Sequence, residues 1–313
     1  MSATVALRPP REDEAGEVAL VINAAARAEH GVDEVTETEI RRWFASPGLD
    51  VERDIFLAEE DGRIAAYADV SDAGETGKQF WIDLRVPPDA AEATAEALVE
   101  AVERRACERA AELRPAGSRP RIIGDVSSTN PRLAAVLENA GFRLYRHAYR
   151  MAIDLDHDLP EPRVPGGIEV RPFRAGEERA VFDAVNEAFE DSWDHVEGSF
   201  EEWLHWTVEN ESFDPTLWWI ACAGDEIAGF CLCRQHEAEP DMGWVASLGV
   251  RRPWWRRGLA RALLLTSFHE FARRGYSRVG LGVDADSLTG ANKLYETAGM
   301  RPIRQHDMYE KVP

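Results

Sequence analysis

Apolar positions along this chain switch between a period of two and a helical period, and they do so twice in the same order. Residues 55–70, IFLAEEDGRIAAYADV, and 217–233, LWWIACAGDEIAGFCLC, each read as two strands around an Asp-Gly or Gly-Asp turn. FWIDLRV (80–86) and WVASLGV (244–250) each read as one further strand. From Gly258 the period lengthens. Ala260, Leu264, Phe268 and Phe271 recur at helical spacing, and Gly275 stands where a C-terminal cap belongs. RIIGDVSSTNPRLAAVLENAGF (121–142) and RVGLGVDADSLTGANKLYETAGM (278–300) both read as a strand followed by a helix ending at Gly141 or Gly299.

These pairs form an internal repeat of roughly 160 residues, opened by VALRPPREDEAGEV near the start and IEVRPFRAGEERAV at 168–181. Each copy predicts strand, two helices, three strands, helix, strand, helix, and a closing strand or two. The expected fold is therefore α/β with a mixed sheet flanked by helices, present as two tandem domains. The sequence places them at 1–155 and 168–313, joined by a linker over 156–167 within the Pro-, Gly- and acid-rich DLDHDLPEPRVPGG.

Composition narrows the function. The 313 residues are 44% hydrophobic and 30% charged, as in a globular protein, and the net charge of −21 argues against general affinity for nucleic acid or anionic membranes. The start, MSATVALRPP, lacks a signal-peptide pattern, and no apolar run approaches the ~20 residues of a membrane span. Four cysteines are too few for a disulfide framework. The expected location is the cytoplasm.

Against that acidic background, Arg251, Arg252, Arg256, Arg257 and Arg261 crowd the start of the helix beyond Gly258. The helix dipole disfavours cations there. One reading is a solvated basic face. The other is an anion cradle: backbone N–H groups at a helix start, Gly258 permitting a tight bend, small Ala260 on the first turn, and flanking guanidinium groups, together suited to phosphate.

WVASLGVRRPWWRRGLARALL resembles motif A of the GNAT superfamily of N-acetyltransferases, and ANKLYETAGM resembles that family's later Asn/Tyr helix. Trp255 departs from the usual pattern, standing where the loop's first Gln or Arg is common. The resemblance covers 168–313 well and 1–155 through the repeat. It implies acetyl-CoA or another acyl-CoA as donor, with pantetheine alongside Leu248, Gly249 and Val250. The pyrophosphate would rest on Arg256, Arg257, Gly258, Leu259, Ala260 and Arg261, Asn292 would touch the cofactor arm, and Tyr295 would lie near the sulfur.

Tyr295 can be read in two ways. It belongs to a stripe of Ala291, Leu294, Tyr295 and Ala298 that suits a core position. It is also a proton donor at neutral pH, which the thiolate expelled by amine attack on a thioester would use. For a general base the sequence offers Asp191, Asp194, His195 and Glu197, then His236, Glu239 and Asp241, each equally readable as surface charge. No metal site is expected: Cys231 and Cys233, with Cys222 nearby, read as small core residues. Gly280-Leu281-Gly282 lacks a dinucleotide fingerprint and reads as strand glycines. Trp193, Trp203, Trp206, Trp218 and Trp219 read either as the lining of an aromatic acceptor pocket or as core, with core the reading for most of them.

The first copy has lost these features. Glu92, Ala93 and Thr94 fall opposite Arg256, Arg257 and Gly258, while Ala134 and Leu137 replace Asn292 and Tyr295. The first domain is expected to lack a conventional CoA site. The second is expected to transfer an acyl group, acetyl foremost, to an amine on a small molecule, directly in a ternary complex. The alternatives are acetylation of protein or peptide amino groups, or a non-catalytic acyl-CoA sensor or scaffold.

Overall fold

The computed structural model describes residues 5–72, 74, 76–114, 119–156, 158–193, 195–210, 212–287 and 290–313. In chain order the elements of the first copy are β1 (Ala6–Arg8), α1 (Ala15–His30), α2 (Glu37–Phe44), α3 (Val51–Asp54), β2 (Ile55–Glu60), β3 (Arg63–Asp72), β4 (Gln79–Arg85), α4 (Glu92–Leu113), β5 (Arg121–Ser127), α5 (Pro131–Asn139) and β6 (Arg143–Asp154). The second copy follows with β7 (Glu169–Pro172), α6 (Glu178–Phe189), α7 (Phe200–Trp206), β8 (Trp218–Ala223), β9 (Glu226–Gln235), β10 (Met242–Val250), α8 (Leu259–Arg273), β11 (Arg278–Asp284), α9 (Ala291–Thr297) and β12 (Arg301–Lys311).

Local chemistry sets many of these boundaries. Thr36 and Glu39 form a reciprocal capping box that starts α2. Asp61 and Gly62, both at positive φ, turn β2 into β3. Gly275, at φ +87°, lies just beyond the last turn of α8.

The chain divides into two compact units, 1–147 with 304–313, and 148–303. This differs from the division at 155 and 168 that the repeat suggests. Residues 148–154 of β6 pair with β11 in the second unit, while residues 306–311 of β12 pair with β5 in the first. Each copy's closing strand thus completes the other copy's sheet. The first unit's strand order is β1-β2-β3-β4-β5-β12 and the second's is β7-β8-β9-β10-β11-β6. Both are antiparallel except at β4–β5 and β10–β11, the pairs bridged by a crossover helix.

In the second unit α8 covers one face over Cys231, Cys233, Val245 and Leu281, and α6 covers the other over Phe230 and Leu232. Cys231 and Cys233 are buried core residues, with the Cys231 Sγ 3.1 Å from Ser267 Oγ. Trp203 and Trp218 belong to an aromatic cluster on the α6 side with Phe173 and Phe213.

The first unit holds a cluster of paired charges. Glu34 receives Arg85 at 2.8 Å and Arg304 at 2.9 Å, and Asp125 meets His306 at 2.9 Å. His30 is buried among them, its Nε2 without a hydrogen-bond partner among the described residues. Burial, reinforced by the charge of Arg304, lowers its pKa to about 4. An unfolded histidine titrates near ~6.5, so between roughly pH 6.5 and 4 the unfolded chain binds more protons. His30 therefore contributes stability above that window which is lost as the pH falls through it. Thermal melts should show a lower midpoint at pH 5 than at pH 7, and His30→Asn should flatten that difference. Identical pH dependence in the two proteins would refute the assignment.

Candidate active site

β10 and β11 run in parallel register for only three pairs, Met242–Trp244 against Arg278–Gly280. Beyond them the strands separate, although β10 stays paired to β9 as far as Val250. A β-bulge between Val245 and Ser247 marks the divergence, and a bulge leaves its extra residue, here Ala246, outside the ladder. Between the splayed strands opens a cavity of about 720 Å³. Its walls include Leu248, Gly249 and Val250 from β10, Arg256, Gly258, Leu259, Ala260 and Arg261 from the start of α8, and Tyr295 from α9.

Gly258 takes φ +79° as N-cap, and among the described residues no side chain caps α8. Arg256 also adopts a left-handed φ of +60°, a conformation that costs a non-glycine residue free energy. The five arginines separate into two groups. Arg251 pairs with Glu187 of α6 at 2.7 Å, and Arg252 bonds Asp191 just beyond it. Those two tie the loop to the α6 side. Arg256, Arg257 and Arg261 have no carboxylate partner among the described residues. Trp255, where the motif departs from its usual pattern, donates its indole N–H to the Val250 carbonyl at 2.5 Å.

Two of the residues chosen from sequence do not line the cavity. Arg257 is exposed and lies off its wall. Asn292 instead donates its amide to the carbonyls of Asp284 (2.9 Å) and Ala285 (2.7 Å), fastening the turn between β11 and α9. Its Oδ1 is buried without a partner among the described residues.

Tyr295 is buried, packs with Leu281 and Val279 in the α8-side core, and still reaches the cavity wall. Its hydroxyl makes no hydrogen bond among the described residues. Burial, with the Cys231 thiol nearby, raises its pKa above the ordinary tyrosine value, so the phenol keeps its proton at physiological pH. It is thus a core residue whose protonated side chain also borders the cavity.

Of the base candidates, Asp191 lines the cavity but is held by Arg252. His195, Glu197, His236, Glu239 and Asp241 lie off the cavity wall, and Asp194 lies outside the described residues. Glu239 binds Arg150 at 2.6 Å, and His236 accepts the Glu239 N–H at 3.1 Å. The sequence reading missed Asp284, a wall residue whose Oδ1 accepts the Asp286 N–H at 2.8 Å. Its signal was its place at the end of β11, at the mouth of a strand-to-helix turn.

In the first unit the equivalent helix start is already filled. α4 begins at Glu92, and the Glu60 carboxylate from β2 accepts the Ala91 N–H at 3.1 Å and the Thr94 hydroxyl. An internal carboxylate stands where, in the second unit, no described side chain caps the helix. Leu137, in the place of Tyr295, is fully buried.

Residues 179–300 match the acetyltransferase (GNAT) family model. Over its whole length the chain is 30% identical to a mycothiol acetyltransferase of Kineococcus radiotolerans, spanning 98% of that protein. Over 81% of its length it is 32% identical to a mycothiol acetyltransferase of Streptomyces griseus, spanning 78% of it. Among solved structures, a GCN5-related N-acetyltransferase from Sphaerobacter thermophilus superposes with a TM-score of 0.80 at 34% identity, covering 98% of this chain and 95% of that one. A tandem GNAT protein from the clavulanic acid pathway shares the fold at a TM-score of 0.71 and 15% identity, with 98% of each chain covered. The chain belongs to the GNAT acetyltransferase family, with two tandem copies of the GNAT fold. It is an N-acetyltransferase that draws on an acyl-CoA donor.

Proposed function

We propose that the second unit transfers acetyl from acetyl-CoA to an amine on a small molecule, directly within a ternary complex. The observation that carries this reading is one cavity that joins three features: a helix start with neither a side-chain cap nor a carboxylate partner for Arg256 or Arg261 among the described residues, a strand edge freed from its neighbour, and a buried phenol. When bound, acetyl-CoA supplies an activated thioester. Residues 256 and 258–261 would hold its pyrophosphate, and the free edge at 248–250 would pair with the amides of its arm. Tyr295 holds a proton where a departing sulfur needs one. Ala246, outside the ladder, lines the same space. Asp284 is a wall carboxylate that would receive the ammonium proton through water.

The relatives named mycothiol acetyltransferase favour a small-molecule acceptor, and the amine that such an enzyme acetylates is the first to test. Incubation of an amine library with acetyl-CoA should release CoA thiol in multiple turnovers for at least one small amine. Turnover confined to peptides would replace this reading with protein acetylation, and binding without turnover would leave a sensor.

CoA should bind once per chain, because Glu60 occupies the first unit's helix start while the corresponding position in the second is uncapped. Calorimetric titration should give a stoichiometry of one. Two equivalent sites would overturn the assignment of the first unit as lacking a CoA site.

A further inference from the structure

The two glycines of Gly280-Leu281-Gly282 lie on one face of β11, the face turned toward α6, while Val279 and Leu281 pack in the α8-side core. They are glycine for different reasons. A Cβ on Gly280 would stand 2.9 Å from the Trp244 ring and 3.1 Å from the Met242 sulfur, so its absence admits the indole. A Cβ on Gly282 would meet no heavy atom of the described residues within 4 Å, and the backbone there is not in the left-handed region. Neither packing nor conformation calls for glycine at 282. Yet a mid-strand glycine loses conformational entropy and offers no side chain to pack.

What lies above Gly282 is the cavity. The residue is exposed and lines the wall, which also includes Phe189 at the end of α6 and Ser192 and Trp193 just beyond it. Its cross-strand neighbour Arg150 turns away, bonding Glu239 at 2.6 Å and lying 4.8 Å from the Trp244 ring. Continuing the register set by Trp244 and Gly280, Gly282 falls level with the bulged Ala246, where the two strands part. The cradle for the cofactor's phosphates lies at the start of α8. The open floor at Gly282 faces α6 instead.

We propose that Gly282 is the floor of the acceptor subsite and a specificity-determining position: the missing side chain is the room that the acceptor's substituent occupies beside the attacking nitrogen. The inference rests on the transferase reading of this cavity but not on whether the acceptor is a small amine or a peptide.

The test is Gly282→Val, with Gly282→Ala as the smaller step, assayed with whichever acceptor the parent enzyme uses. Valine suits a strand and would project into open space, so folding should persist and the CoA Kd should stay within about twofold. Acceptor KM should rise by about 10–200-fold for valine, less for alanine, and more steeply the bulkier the acceptor. An unchanged acceptor KM in Gly282→Val would overturn the proposal. So would a CoA Kd weakened by about tenfold or more, which would put the cofactor arm over Gly282. A parent enzyme that acetylates only peptides would defeat the small-molecule reading while leaving this comparison intact.

Discussion

Tyr295→Phe should lower kcat by about 10²–10⁴-fold, the range of general acid catalysis, while the acyl-CoA Kd stays within about twofold. The ring remains, so its packing against Leu281 and Val279 in the α8-side core is kept. The hydroxyl that disappears has no hydrogen-bond partner among the described residues, so its loss leaves no buried group there unsatisfied. What is removed is the proton on the cavity wall. Because burial raises this phenol's pKa, the parent enzyme should show no alkaline loss of rate from Tyr295 itself below about pH 10. Single-turnover transfer at saturating acetyl-CoA separates chemistry from binding. Transfer at the parental rate would return Tyr295 to a purely packing role.

Reversing charge at the cradle should weaken CoA binding about 100-fold or more, and the double variant Arg256→Glu with Arg261→Glu is the one to make. Charge-assisted hydrogen bonds are worth about 1.5–3 kcal/mol each, so losing two reaches that range even before repulsion is counted. Stability of the free protein should move the other way. Neither arginine has a carboxylate partner among the described residues, and acidic side chains near the start of α8 interact favourably with its dipole. A thermal midpoint that holds or rises while affinity collapses would distinguish a ligand cradle from a structural charge cluster. Arg257→Glu, off the cavity wall, should bind CoA nearly as the parent does. Unchanged affinity in the double variant would reduce the loop to a surface feature.

Much of this was legible in the sequence because it is local. A hairpin needs its Asp-Gly turn, a helix needs its stop at Gly275, and a phosphate cradle needs glycine and arginine within a few residues of a helix start. Duplication made the contrast between Gly258 and Thr94 visible without any structure. Tyr295 was legible as a residue with two readings, and in the structure it is buried in the core with an edge on the cavity wall.

Other features depend on partners distant in the chain, and only the tertiary structure decided them. The arginine run looked uniform, but Glu187 and Asp191, more than sixty residues upstream, claim Arg251 and Arg252 and leave Arg256 and Arg261 to the cavity. Asn292 turned to the carbonyls of its own loop. Glu60 reached from β2 to the start of α4. Above all, β6 and β12 each pair with a strand of the other copy, a choice that a pattern of period two cannot express. Alternation tells a strand which of its faces is apolar, but backbone hydrogen bonding is the same for every neighbour. The partner is therefore set by which edges remain open once the rest of each sheet has formed.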